Sequence, residues 1–256
     1  GGTDLVIALH ERHIVCDALL DLTGLAELKG IRLAGSTLRI GAMETFARIA
    51  TNPLVLQHCP SLAEAASQVG APQVRNRATV GGNVANAAAA GDSIPALLSL
   101  DARAVIARKT GARELSVGDV VIGLNRNCLA PDELITEFLI PVRKNRRMAF
   151  EKIGRRRALA ISRINLAVSA ALDQNRVEDI AVAVGAVGTT AYRVAEVEEF
   201  LIGKPLTQEV IQEAASLMDR IVAQNLKGRS TTPYKRKIAA AVLERALLRV
   251  AGEVLP

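Results

Sequence analysis

Thr79-Val80-Gly81-Gly82-Asn83 is the stretch of this chain whose residue types are best suited to chemistry. Two adjacent glycines let a backbone approach a ligand closely and turn its N–H groups toward one point, and such a nest of donors is an anion site. A dinucleotide pyrophosphate suits it, with the Thr79 hydroxyl and the Asn83 amide as flanking donors. Gly1-Gly2-Thr3-Asp4 is a second element of the same kind, so that two loops can grip one diphosphate from both sides. Asp92, nine residues beyond Asn83, can accept from a ribose hydroxyl or cap the helix that follows it. An isolated glycine pair is usually a plain tight turn. Here the pair sits in a long, polar, irregular stretch ahead of a capped helix, which favours ligand binding.

Other chemistries are poorly served. The chain has no GxxxxGK[ST], no GxGxxG after a strand, no HExxH and no GxSxG. His10, His13 and His58 have no evident partners, and His10 with His13 reads as a solvated surface pair. Cys16, Cys59 and Cys128 form no CxxC, so neither a zinc site nor a cysteine-ligated iron–sulfur cluster is expected within the chain. They are expected as reduced, buried thiols. The sequence thus predicts no catalytic side chain and no metal ligands.

The net charge of +6 fits nucleic acid, an anionic cofactor or an acidic partner. With four Phe, two Tyr and no Trp, the stacking platforms of single-strand nucleic-acid readers are lacking. The cluster Arg143, Lys144, Arg146, Arg147, Arg155, Arg156 and Arg157 is either a solvated face or a docking surface for an acidic subunit. No apolar run reaches membrane-spanning length and no signal peptide is evident, so the expected location is the cytoplasm.

The elements that must position these residues follow from periodicity. Half the residues are hydrophobic and few are aromatic, which suits buried parallel strands covered by helices. Strands are predicted at 14–22, 31–34, 38–41, 104–108 and 134–140, and helices at 25–29, 44–50, 54–69 and 93–100. Residues 70–92 read as irregular. The Pro-initiated basic stretch 141–147 marks a domain boundary. Beyond it come strands at 149–153, 164–172 and 180–187, then helices at 194–202, 208–225 and 234–250, the pattern of an α+β domain. The opening glycine pair is a turn signal with no element before it, as though the beginning were absent.

Residues 73–102, QVRNRATVGGNVANAAAAGDSIPALLSLDA, resemble the second FAD loop of the xanthine dehydrogenase and carbon monoxide dehydrogenase flavoprotein subunits. GGTDL at the start resembles their first FAD loop, and residues 150–172, FEKIGRRRALAISRINLAVSAAL, are similar to the strand pair opening their C-terminal domain. The resemblance implies an α+β chain in two parts. Residues 1–145 would be an FAD-binding domain of the type shared with vanillyl-alcohol oxidase and p-cresol methylhydroxylase, lacking a first β-α unit of roughly 30 residues, the size of a supersecondary element. Residues 148–256 would be the C-terminal flavoprotein domain.

The resemblance further implies that Gly1, Gly2, Thr3 and Asp4 form the first pyrophosphate loop and Thr79, Val80, Gly81, Gly82 and Asn83 the second. Asp92 matches a ribose- or adenine-side carboxylate, Ile135 a backbone flavin contact and Lys152 a lysine near the flavin. Val69 stands where xanthine oxidase-like members carry an aromatic. With no His or Cys in either loop, FAD is expected to be non-covalent. The implied role is an oxidoreductase subunit relaying electrons from two [2Fe–2S] clusters in a small subunit to NAD, a quinone or oxygen, with molybdopterin in a large subunit that hydroxylates the substrate. A stand-alone FAD-dependent oxidoreductase and a truncated remnant that no longer binds flavin are the alternatives.

Overall fold

A computed structural model describes residues 1–156 and 160–252. After the short helix α1 (Leu5–His10) and a 3-10 turn at Ala26–Leu28, the hairpin β1 (Ile31–Ala34) and β2 (Thr37–Gly41) leads into helices α2 (Phe46–Thr51), α3 (Pro53–His58) and α4 (Pro60–Ser67). Next come α5 (Pro72–Arg75), α6 (Val80–Asn86) and α7 (Ser93–Ser99), then β3 (Arg103–Arg108), β4 (Gly111–Ser116), α8 (Val117–Val120), the small hairpin β5 (Val121–Gly123) and β6 (Arg126–Asn127), and β7 (Leu134–Pro141). Strands β8 (Arg146–Gly154), β9 (Ser162–Asp173), β10 (Arg176–Gly185) and β11 (Tyr192–Arg193) precede helices α9 (Ala195–Leu201), α10 (Gln208–Asn225) and α11 (Thr232–Ala251).

The strands form a five-stranded sheet in the order β1-β2-β7-β3-β4 and a four-stranded sheet in the order β11-β10-β9-β8. Every pairing is antiparallel. The expectation of parallel strands fails for a specific reason. β9 and β10 are apolar along almost their whole length because both faces are covered, not because helical crossovers separate them. Leu166, Val168, Val182 and Val184 face one core, under α10 and α11, whereas Ala167 and Ala183 face the other, against helices of the N-terminal half. Period-2 alternation survives, but between two hydrophobic environments. The second face carries alanines because α7 packs closely on it.

Local chemistry explains most boundaries. Thr45 caps α2 by accepting from the Arg48 N–H, and Asn52 caps α3 by accepting from Leu54 and Val55. Pro53 and Pro60 occupy first turns, where a missing N–H costs little. The single helix expected over 54–69 is therefore two, broken at Cys59-Pro60. The strand expected at 14–22 is absent, and Ile14, Val15, Leu19 and Leu20 are exposed. Residues 70–92, read as irregular, contain α5 and α6. β4, α8 and the β5–β6 hairpin went unread because such short segments carry little periodicity. The glycine pair read as a turn leads through a turn at Thr3 and Asp4 into the helix α1. Among the described residues no helix is long and apolar enough to cross a membrane.

Ionic networks bolt the halves together. The Arg249 guanidinium, from α11, binds Glu64 on α4 and Glu151 on β8, the latter at 3.0 Å, and donates to the Phe150 carbonyl at 3.0 Å. Glu64 also accepts from the Phe150 N–H at 3.0 Å. Much of the basic cluster is absorbed the same way. Arg146 binds Asp179 and Ser169, Arg143 pairs with Asp101 at 2.8 Å, and Arg147 donates to the carbonyls of Val250 and Ala251. These residues staple the chain internally, so the free docking face expected of them is reduced; Arg157 lies outside the described residues. Arg249→Met should lower the unfolding free energy by about 1–3 kcal/mol, the cost of stranding partly buried acceptors, as measured by urea denaturation.

The cysteines also differ from expectation. All are free, but Cys16 is exposed, Cys128 half-buried and only Cys59 buried. Burial pushes the Cys59 thiol up to about 12, and the thiolate is the reactive form. Iodoacetamide should therefore modify Cys16 in the native protein and reach Cys59 only after denaturation, with peptide mass spectrometry as the readout.

Candidate functional site

The segment 42–46 is the anvil on which the second glycine loop is shaped. Thr45 and Thr79 form an isolated antiparallel bridge. Around it, the N–H of Phe46 donates to the Ala78 carbonyl at 3.1 Å and the N–H of Val80 to the Glu44 carbonyl at 3.0 Å. Glu44 is itself buried, its carboxylate accepting the Gly30 N–H at 2.6 Å and pairing with Arg48 at 3.2 Å. From this bridge the chain turns directly into α6, with Thr79 as cap accepting from the Gly82 N–H at 3.2 Å.

The loop is thus a helix start and not the open nest of donors read from its sequence. The N–H of Gly81 is taken by the Ala42 carbonyl at 2.9 Å and that of Asn83 by the Thr79 carbonyl at 3.0 Å. The two glycines have different reasons to be glycine. A Cβ on Gly81 would lie 2.7 Å from both the Cβ and the carbonyl oxygen of Ala42, so Gly81 is required by packing. A Cβ on Gly82 would meet only the Thr79 hydroxyl, at 3.0 Å. Gly82 faces open space.

That space is a cavity of about 690 Å³, within the range of small-molecule and cofactor sites. Gly1, Gly2, Thr3 and Asp4 line it from one side, and Thr79, Gly82 and Asn83 from another. The two glycine loops, remote in sequence, therefore meet across one space. They touch at the shoulder: a Cβ on Gly1 would fall 1.6 Å from the Arg77 carbonyl oxygen, and Gly2 holds φ +76°, where side chains are disfavoured. Neither the backbone N–H groups of Thr3 and Asp4 nor the Thr3 hydroxyl has a partner among the described residues. Asn83 is held by the Ser93 hydroxyl, which donates to its side-chain oxygen at 2.7 Å and leaves the amide NH2 as a donor.

Val69 and Gly70 continue the lining, so an aliphatic side chain stands where an aromatic was noted as missing. Sequence reasoning overlooked Phe46, which sits on the anvil, and Ala160, Ile161 and Ser162 of the C-terminal half, which close the cavity. Phe46 carried a faint signal in the capping Thr45 before it. The three others lay between the strands predicted at 149–153 and 164–172, where no element was read.

Of the remaining expected site residues, Asp92 alone reaches the lining. Val80 and Gly81 lie behind the surface, packed in the core. Ile135 is buried on β7, paired with Ile106 and outside the lining. Asp92 does line the cavity, but its side chain makes no helix cap. Its Oδ1 accepts from the Ser162 hydroxyl at 2.5 Å and the Asn165 amide at 2.8 Å, and its Oδ2 from the Lys152 ammonium at 2.5 Å. Lys152 donates also to the Gln68 carbonyl at 2.8 Å and stands behind the wall. A second cavity, lined by Arg155, Arg156, Arg163 and Lys235, adjoins the first and shares Ala160, Ile161 and Ser162 with it. Burial, with the charges of Arg163 and Arg229, lowers the Lys235 ammonium below the usual lysine range. No cluster of His, Cys, Asp or Glu among the described residues could hold a metal.

Comparison with known proteins agrees with this geometry along the whole chain. Residues 1–143 match the FAD binding domain in molybdopterin dehydrogenase, and residues 149–250 match the CO dehydrogenase flavoprotein C-terminal domain. The chain is 33% identical to the nicotinate dehydrogenase FAD-subunit of Eubacterium barkeri, over 99% of this chain and 88% of that protein. It is 29% identical to the putative xanthine dehydrogenase FAD-binding subunit of Escherichia coli, over 96% of this chain and 86% of that one. Among solved structures, carbon monoxide dehydrogenase from Hydrogenophaga pseudoflava superposes with a TM-score of 0.90 at 31% identity, covering 98% of this chain and 87% of the other. With two glycine loops facing one cavity and both family models in register, the chain belongs to the FAD-binding medium subunits of the xanthine dehydrogenase and carbon monoxide dehydrogenase family.

Proposed function

We propose that this chain holds one FAD non-covalently in the cavity between its glycine loops and serves as the electron relay of a molybdenum hydroxylase. The observation that carries the reading is the convergence of Gly1–Asp4 and Thr79–Asn83 on a single space of about 690 Å³. The donor set fits a diphosphate. The free backbone N–H groups of Thr3 and Asp4, the Thr3 hydroxyl and the Asn83 amide are neutral donors that bind anions without adding a competing base. The glycines admit the phosphates to backbone distance.

When bound, FAD supplies a two-electron carrier that can also exchange single electrons. This chain's residues bind it, orient it and shield it. Phe46, Val69 and Val74 give the cavity apolar walls, and Ile161 lies at its edge. Neither loop carries a His or Cys for covalent attachment. Electrons would arrive from [2Fe–2S] clusters of a small subunit and leave to NAD, a quinone or oxygen, while a large subunit with molybdopterin performs the hydroxylation. The division of labour between residues 1–145 and 148–256, with the second part closing the cavity, belongs to the same reading, as does a cytoplasmic location.

The purified chain should bind FAD in a flavin-fluorescence titration and show a flavin visible spectrum, yet hydroxylate neither nicotinate nor hypoxanthine alone. A chain that stays colourless in excess FAD, or that turns over either compound, refutes the proposal. The two central glycines give a finer test. Gly81→Ala should destabilise the fold by about 1–3 kcal/mol through overpacking against Ala42. Gly82→Ala should change stability by less than about 1 kcal/mol, while a methyl group intruding on the diphosphate weakens FAD binding by about tenfold or more, or about 1.4 kcal/mol. Thermal melting and the fluorescence titration separate the two effects.

A further inference from the structure

We infer that the second cavity is an anion site for a phosphate-bearing small molecule, held by Arg163 and Lys235 with Arg155 at its edge. It is built apart from the glycine loops: none of its cations lines the first cavity.

The space measures about 670 Å³, enough for an organic phosphate. Four cationic side chains line it, those of Arg155, Arg156, Arg163 and Lys235, and no carboxylate does. Elsewhere in the molecule such charges are balanced. Arg39, Arg113, Arg193, Arg236 and Arg249 are each matched to a glutamate or an aspartate. Arg155, Arg163 and Lys235 have no ion-pair partner among the described residues.

The fold itself concentrates this charge. Arg163 arrives on β9 and Lys235 on the first turn of α11, a turn without an acidic residue. A helix N-terminus is partly positive, so a lysine there runs against the dipole. Burial and the charges of Arg163 and Arg229 lower the Lys235 ammonium, as crowding without a counter-ion does. The lysine is nonetheless moored. It donates to the Ala186 carbonyl, and the Ala186 N–H in turn reaches the Ala89 carbonyl at 2.7 Å. An ammonium has three donors, so two remain for a ligand.

The rest of the lining leaves recognition to the cations. Ser162 turns its hydroxyl to Asp92, and Ala160 and Ile161 give an apolar wall. Cations crowded in this way repel one another, and an anion with several oxygens offsets that repulsion. A neutral ligand would leave it unrelieved.

The experiment loads the full chain with FAD, so that the first cavity is filled, and titrates it with inorganic pyrophosphate and with NAD by calorimetry. Pyrophosphate should bind with a submillimolar dissociation constant at low salt, weakening as salt rises. Lys235→Met combined with Arg163→Gln should raise that constant about tenfold or more, while FAD affinity stays within about threefold of the parent. Removing the same charge from the β3–β4 turn, by Arg108→Gln with Lys109→Gln, should change neither, which separates local recognition from net charge. Arg163→Gln alone should hold or raise the melting temperature of the chain without pyrophosphate, because it relieves repulsion. A merely structural arginine would lower it. Both ligands test the same site: NAD binding about tenfold tighter than pyrophosphate identifies a dinucleotide, and equal affinity identifies phosphate alone.

Absence of pyrophosphate binding at millimolar concentration overturns the site. So does binding that the paired variant leaves unchanged, or a loss that the β3–β4 variant matches. If the paired variant does not fold, Arg163→Gln carries the titration, with an expected loss of about threefold or more. If the parent chain does not bind FAD, the proposed function fails, and titration of the bare chain still decides the second cavity. Pyrophosphate binding lost in the paired variant but kept in Gly82→Ala supports the site, and the reverse pattern refutes it.

Discussion

β9 and β10 lie between two hydrophobic cores, and the rest of the molecule is arranged around that constraint. An antiparallel sheet of four strands can leave one face to solvent, but here α9 and α11, with α10 packed on them, cover one face while α4 and α7 of the N-terminal half cover the other. Beyond the bulge at Val177 and Asp179 the residues alternate between the cores, the larger aliphatic side chains toward the C-terminal helices and Ala167 and Ala183 toward α7. A sheet shared in this way cannot be withdrawn from either half without exposing a core. The cavity sits at the seam so created, with glycine loops from one half and Ala160, Ile161 and Ser162 from the other.

Polar groups at the seam fix how the halves meet. Apolar packing alone tolerates sliding, because it is non-directional. The Glu64–Arg249–Glu151 network and the Asp92–Lys152 cluster are directional, the first partly and the second largely withdrawn from water. Such pairs often add little net stability, since desolvation offsets much of their attraction, but a mismatch strands a charge. Their effect is to penalise every wrong register, which matters where one cavity is lined from both sides.

The glycine loop shows how one motif can serve two physical needs at once. Gly81 lets α6 lie against Ala42, and Gly82 keeps the cavity open. The Thr45–Thr79 bridge and the buried Glu44 hold the loop before any ligand arrives, so little ordering remains for the cofactor to impose. The first loop is held less firmly: α1 buries no residue of its own.

The amino-acid sequence by itself determined the family, the α+β class and the segments that carry the site. These are local properties: glycine pairs beside hydroxyl and amide side chains, proline and threonine caps, and strong periodicity in β2, β7 and α10. It also singled out Asp92 and Lys152, which the fold pairs with each other. Tertiary structure alone decided that β9 and β10 are antiparallel, since an apolar run reports burial on both faces and not the direction of its neighbours. It alone decided that Val80, Gly81 and Ile135 lie behind the cavity and that Phe46 and Ile161 line it. It also committed the carboxylate of Asp92 to a lysine, a serine and an asparagine sixty or more residues away. Which partner a polar group finds depends on where distant segments are brought together, and that is settled by the packing of two cores on one sheet.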